Sequence, residues 1–227
     1  MNNLTNLNYK TIFKVFLFSL FLSVSAYGNA MKPTLSFNAN GGVTDMVYSN
    51  NILYISTTEG SVDLYDIKQN KIINSIKLKN IKNFLGKEVA PKVYCVDILN
   101  DSILFASKEQ LGFSNIFKYE NGKLTNIIDI KEEKSILRTK WIDKNTIIFA
   151  TLSNQFYLYD IKNKKIKWEI QVSTSKFSNL VLNEKRDQFL VADESGDLKL
   201  HSIKDGSFIK SFDGQNLDNV FQIDLKN

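Results

Sequence analysis

Asp63-Leu64-Tyr65-Asp66-Ile67, Tyr157-Leu158-Tyr159-Asp160-Ile161 and the weaker Lys199-Leu200-His201-Ser202-Ile203 are copies of one strand-like motif. Each runs into a polar turn and is followed by another apolar run. Working outward, the chain divides into segments that start at Thr44, Tyr94, Arg138 and Ser178, with a fifth at Asp218. Each of the first four segments holds four short runs rich in β-branched and aromatic residues. A period of about 42 residues made of four short strands predicts a β-propeller blade. The expected fold is all-β: a β-propeller with four complete four-stranded antiparallel blades and an incomplete closing blade.

The runs are bounded by turn chemistry. In the first segment Asp45–Ser49, Ile52–Thr57, Ser61–Ile67 and Ile72–Leu78 are separated by Asn50-Asn51, Glu59-Gly60 and Gln69-Asn70. Asn and Gly tolerate the left-handed backbone that tight hairpins require. The later segments repeat the pattern, with turns at Asn100-Asp101, Asn121-Gly122, Glu194-Ser195-Gly196 and Asp205-Gly206. No long amphipathic helix is predicted, although Asn80–Glu88 has the composition for a helical turn.

Ser36-Phe37-Asn38 echoes Ser211-Phe212-Asp213, and both precede an innermost strand. Thr34–Asn38 is therefore expected to be the outer strand of a blade whose inner strand is Asn219–Leu225. Two middle strands are missing from that blade, and unpaired strand edges recruit other chains. Two readings follow: the domain, residues 31–227, is incomplete at its C-terminus, or a partner completes it. The connection containing Asn80–Pro91 departs from the period. Insertions between repeats form loops on one face, often the binding face. Phe84 and Leu85 in it are candidate partner contacts; the alternative is that they tuck onto the neighbouring blade.

Residues 1–30 read as an export signal. Lys10 and Lys14 precede an apolar run at Val15–Ala26, small residues follow at Ala26, Gly28 and Ala30, and no acidic residue precedes Asp45. The apolar run is shorter than the roughly 20 residues that cross a bilayer. The expectation is a periplasmic protein with no stable membrane span once the signal is removed. Losing Lys10 and Lys14 lowers the net charge from +5 to +3. This small excess is scattered among turns, and its densest run, Lys162–Lys167, falls on a predicted hairpin, so nucleic acid is not an expected partner.

The residues that carry chemistry are sparse. Cys95 is the single cysteine and cannot form an intramolecular disulfide. His201 is the single histidine and stands where the other copies have Tyr65 and Tyr159, so it reads as an aromatic substitute and not as a base or zinc ligand. Asp45, Asp97, Asp143 and Asp187 lie in or beside innermost strands, but in different registers. A propeller enzyme or binding protein for a small molecule or glycan would use such channel carboxylates, and this is the alternative reading of function. Trp141 and Trp168 read as packing residues. The expectation is a protein that is not an enzyme, with no catalytic, cofactor-binding or metal-ligating residue.

The repeats resemble degenerate WD40 repeats. Tyr65-Asp66 and Tyr159-Asp160 stand where that family places its Trp-Asp dipeptide, and they form the repeat's structural motif. The family's Gly-His dipeptide is absent. Lys32-Pro33-Thr34-Leu35-Ser36-Phe37, Val43-Thr44-Asp45-Met46 and Leu53-Tyr54-Ile55-Ser56-Thr57 behind an export signal resemble more particularly the NapL family, exported WD40-like proteins associated with periplasmic nitrate reductase. That resemblance implies a scaffold or accessory role, with nitrate reductase components as protein partners and no cofactor.

Overall fold

A computed structural model describes residues 32–212, 214, 216 and 218–226. The predicted signal peptide lies outside the described residues. The chain divides into two units, Met1–Phe37 and Asn38–Asn227. The described residues of the first, 32–37, contain no strand.

The second unit is all-β. Blade I comprises β1 (Val43–Ser49), β2 (Ile52–Thr57), β3 (Ser61–Asp66) and β4 (Lys71–Lys77). A ribbon of β5 (Ile81–Lys82) and β6 (Glu88–Val89) follows. Blade II is β7 (Val93–Leu99), β8 (Ser102–Lys108), β9 (Ser114–Glu120) and β10 (Lys123–Ile128). Blade III is β11 (Ile136–Asp143), β12 (Thr146–Thr151), β13 (Gln155–Asp160) and β14 (Lys165–Gln171). Blade IV is β15 (Phe177–Leu182), β16 (Gln188–Asp193), β17 (Leu198–Ser202) and β18 (Phe208–Phe212). Within each blade the strands pair in sequence order, all antiparallel. This is the up-and-down order of a propeller blade, and β1, β7, β11 and β15 are the innermost strands.

The hydrophobic core is divided among the blade interfaces. Val62 and Ile76 of blade I pack with Val93, Val96 and Phe105 of blade II. Leu104 and Ile116 of blade II meet Trp141, Ile147 and Phe149 of blade III. Ile148, Phe156 and Leu158 of blade III meet Phe177, Phe189 and Val191 of blade IV. Alternate residues of β12 thus serve opposite interfaces, which is why Thr146–Thr151 is buried throughout. The two tryptophans fasten blade III on both sides. The Trp141 indole N–H donates to Ser102 O of blade II at 3.2 Å, and that of Trp168 to Ile203 O of blade IV at 2.9 Å.

Five sequence expectations need correction. Asn80–Glu88 is a β-ribbon and not a helical turn, because Asn83–Lys87 closes a tight turn between β5 and β6. The third repeat begins one residue before Arg138. After matching bulges, Asp45, Cys95, Arg138 and Asn179 pair with Ser56, Ala106, Ala150 and Ala192, so Leu137 is the counterpart of Thr44, Tyr94 and Ser178. Thr34–Asn38 forms no strand; an outer strand needs a middle strand to pair with, and none of the described strands takes that place. Asn219–Leu225 forms no ladder either, but it lies beside β15. Ser178 Oγ donates to Val220 O, and Asn179 Nδ2 donates to Phe221 O at 3.2 Å. The first contact repeats that of Thr44 Oγ1 with Val93 O at 2.6 Å. It puts Val220 in the place of Val93, an innermost-strand position of a fifth blade, and makes Phe221 the counterpart of Thr44 where the repeat predicted Asp218.

Candidate functional site

Two places gather the residues of interest: the cleft between the innermost strands and the inserted ribbon. In the cleft, neighbouring innermost strands do not share a ladder, so side chains take up their backbone N–H groups. Val96 N donates to Asp45 Oδ2 at 3.1 Å. One blade further on, Thr139 N donates to Cys95 Sγ at 3.3 Å. Cys95 occupies the register position of Asp45, so its sulfur serves as the acceptor that the carboxylate supplies in blade I. Burial pushes the Cys95 thiol up from its ordinary value, which makes it a poor nucleophile.

Asp97 lies two positions beyond Cys95 and accepts Trp141 N at 2.8 Å. Cations complete the arrangement. Arg138 Nη1 sits 2.7 Å from Asp45 Oδ2, which links blade III to blade I. Lys140 Nζ and Arg186 Nη1 each lie 3.3 Å from Asp97, which links blades III and IV to blade II. Arg186 also donates to Trp141 O. It reaches the cleft from the β15–β16 turn with a left-handed backbone, φ 55°, a conformation that costs energy in a non-glycine residue. A cavity of about 430 Å³ is bounded by Asp45, Arg138, Asn179 and Phe221, and one of about 570 Å³ by Asp97, Lys140, Arg186 and Asp224.

The other two inner carboxylates are turn residues. Asp143 accepts Asn145 N at 2.7 Å, and Asp187 accepts Asn183 Nδ2 at 2.7 Å. Two aspartates that sequence reading passed over are more buried. Asp63 accepts Asn40 N at 2.7 Å and Ser75 Oγ at 2.6 Å. Asp193 accepts Ser173 Oγ at 2.6 Å and Asn154 Nδ2 at 3.1 Å, which ties the β12–β13 turn to blade IV. Burial pushes both carboxyls up, but these hydrogen bonds outweigh it and hold each below the ordinary range. Among the described residues, no three His, Cys, Asp or Glu side chains gather as a metal site would require.

Tyr65-Asp66 and Tyr159-Asp160 fall at the ends of β3 and β13. Asp66 accepts Lys68 N at 2.8 Å and Gln69 N at 3.0 Å, and Asp160 accepts Asn163 N at 2.9 Å. The Gln69 and Asn163 N–H groups hold these carboxyls below their usual values. The aspartates therefore build the outer hairpin turns, as Asx residues do elsewhere. The Tyr65 hydroxyl meets Asn70 Oδ1. His201 substitutes for it in blade IV: its Nδ1 donates to Gly206 O at 3.0 Å, and its ring stacks on Phe189.

The ribbon carries the remaining candidates. Asn83 N donates to Lys87 O at 2.9 Å, and Gly86 N to Asn83 O at 2.9 Å. The Asn83 carboxamide oxygen accepts Leu85 N at 2.9 Å and Lys87 N at 3.0 Å. Gly86 takes φ +75°. Phe84 and Leu85 stand at the centre of this braced turn, 89% and 66% exposed, and do not tuck onto a neighbouring blade.

No protein-family model matches the chain, and no curated protein matches it. Among solved structures, the crystal structure of the computationally designed Ika8 protein is similar, with a TM-score of 0.57 at 12% identity, covering 82% of this chain and 65% of that one. At that identity the likeness shows the fold alone. The chain spans less than two thirds of that protein's length. The propeller-like fold therefore stands on both the sheet topology and this comparison.

Sequence reading missed Arg138, Lys140 and Arg186. One signal was present for two of them: cations at alternate positions of an innermost strand point to the same side. Nothing in the sequence marks Arg186, because its partner Asp97 is two blades away. Tyr119-Glu120 is the blade II counterpart of Tyr65-Asp66, shown by the pairing of Ile103 with Tyr119 and of Leu53 with Tyr65. It was masked because Asn121 and Gly122, at φ 51° and 76°, form a two-residue turn that needs no capping aspartate.

Proposed function

We propose that this chain is an exported, non-catalytic β-propeller that presents its loops to a protein partner, as an accessory to a periplasmic nitrate reductase system. The observation that carries the scaffold reading is the braced turn that holds Phe84 and Leu85 in solvent. Turn centres ordinarily take Gly, Pro, Asn or Asp. Two large apolar residues there break the local rule, and such departures mark functional positions. The choice of system rests on the resemblance of the repeats and the leader to exported WD40-like proteins.

The glycan- or small-molecule-active alternative is less well supported. Asp45 and Asp97 are both taken up by cations and backbone N–H groups of the fold itself, which leaves neither carboxylate turned to a ligand.

The test is affinity purification of the tagged exported protein from periplasm, together with nitrate reduction in a strain lacking it. Co-purification of reductase components and reduced activity are expected. Unchanged nitrate reduction and no co-purifying component would overturn the assignment.

A further inference from the structure

The ribbon overhangs a groove of about 710 Å³ between the outer edge of blade I and blade II. Its floor is apolar and includes Leu78, Ile81, Pro91, Phe117 and Leu124. Glu109 and Gln110, at the start of the Gln110–Gly112 turn, also line the groove. Leu111 there has φ 59° and is 83% exposed. A leucine held in the left-handed region with its side chain in water costs energy twice over, in backbone strain and in apolar exposure. Asn115 Nδ2 donates to Glu109 Oε1 at 3.0 Å and Phe113 N donates to Gln110 O at 3.1 Å, which fixes this turn. Phe84, Leu85 and Leu111 do not line the groove themselves, but both braced turns continue directly from residues that do, Lys82 and Glu88 for one and Gln110 for the other. The size of the groove suits a few side chains of an extended segment.

The rim is charged. Lys77, Lys79 and Lys82 border the groove, and among the described residues none of the three takes part in an ion pair. The acids at the rim are Glu88 and Glu109, and Glu109 is already engaged by Asn115 Nδ2 and Gln110 N. Three cations without a partner favour an anionic occupant, since complementary charge steers encounter and fixes register.

We propose that this groove docks an extended, acidic segment of a protein partner, its apolar side chains seated between the Phe84-Leu85 turn and Leu111 and its carboxylates at Lys77, Lys79 and Lys82. The inference rests on the scaffold reading and specifies the partner's chemistry.

The test uses two labelled peptides of about ten residues, one alternating Asp with Leu and Phe, the other with Lys in place of Asp. Fluorescence anisotropy is measured on the exported protein. The acidic peptide is expected to bind, and to weaken about tenfold or more between low and high salt. Phe84→Ser/Leu85→Ser should weaken it by about tenfold or more. Lys79→Glu/Lys82→Glu should shift preference toward the basic peptide. Circular dichroism and the thermal midpoint of each variant report folding. Equal binding of both peptides by the wild-type protein would overturn the proposal, as would undiminished binding by both folded variants, or no binding of the acidic peptide. If a natural partner is captured from periplasm equally by all variants, this groove is excluded while the scaffold reading stands. If no partner is captured yet the acidic peptide binds as described, the groove chemistry stands and the scaffold reading falls.

Discussion

Replacing Asp97 tests whether the cleft is a structural lacing. Its side chain is 7% exposed and receives three groups from two other blades: Trp141 N, Lys140 Nζ and Arg186 Nη1. Asp97→Ala leaves a buried N–H without an acceptor and two cations without their counter-charge. Removing one partner of a buried ion pair costs about 3–5 kcal/mol. The side chains of Lys140 and Arg186 are 18% and 28% exposed and keep some water, so the lower end of that range applies. Asp97→Asn keeps one acceptor oxygen for Trp141 N but loses the charge and the second acceptor oxygen, for an expected cost of about 1.5–3 kcal/mol. Arg186→Met made alone and together with Asp97→Asn closes a double-mutant cycle, whose coupling should exceed about 0.5 kcal/mol. Equilibrium unfolding in urea, followed by tryptophan fluorescence, reports the values, since Trp141 is at the site. A cost below about 1 kcal/mol for Asp97→Ala with no measurable coupling would refute the lacing, because surface-like residues behave that way.

Four further outcomes are expected. Leu158 is 5% exposed in the interface of blades III and IV, so Leu158→Ala should cost about 2–5 kcal/mol in urea unfolding; a cost below about 0.5 kcal/mol would mean that the register is wrong. His201 is buried, its Nε2 has no hydrogen-bond partner, and burial holds its pKa below the ordinary value, with the Gly206 carbonyl opposing and Lys199 assisting. The unfolded chain then binds the proton first, so stability is full above about pH 6.5 and falls as the pH drops through the depressed folded value. His201→Phe should abolish that loss, and an unchanged pH profile would disprove the assignment. Mass spectrometry of periplasmic protein should find a new N-terminus after Gly28 or Ala30, and a retained Met1 in membrane fractions would argue against cleavage. Ser178→Ala/Asn179→Leu removes both side-chain contacts to Val220 and Phe221, so amide exchange over 219–225 should quicken while the four blades stay protected; unchanged exchange would mean that other contacts hold this segment.

The blades were legible because strand, turn and period agree in the residues themselves. Ser61–Asp66 and Gln155–Asp160 alternate, end in a turn-capping aspartate and stand at the same place two repeats apart. The bulges were not legible. Each innermost strand gains an extra residue near its start, and in β11 a second bulge between Trp141 and Asp143 adds to the shift. Without the partner strand, a bulge looks like ordinary chain, which is why the third repeat was placed one residue late at Arg138. The cleft was illegible for a different reason. Its contacts join residues such as Asp97 and Arg186, far apart in sequence, and only closing the blades around a common axis brings them together.

The equivalence of Asp45 and Cys95 suggests what the repeat conserves. Both positions face the backbone N–H of the next blade, Val96 in one case and Thr139 in the other. In blades I and II this position supplies an acceptor, a role that carboxylate oxygen and thiol sulfur both fill; at the same register in blades III and IV, Arg138 and Asn179 are donors, to Asp45 and to Phe221 O. The two acceptors differ in charge. Asp45 needs Arg138 beside it, whereas the buried thiol of Cys95 needs no counter-ion. The same logic governs the outer turns, where Tyr65 and His201 each contact a group five residues on, one through a hydroxyl and the other through a ring nitrogen. Different side chains thus fill one register position through different hydrogen bonds while the blade geometry stays the same. The two candidate regions differ. The cleft residues answer to backbone groups of the fold itself, whereas the side chains of Phe84, Leu85 and Leu111 are held in solvent on braced turns.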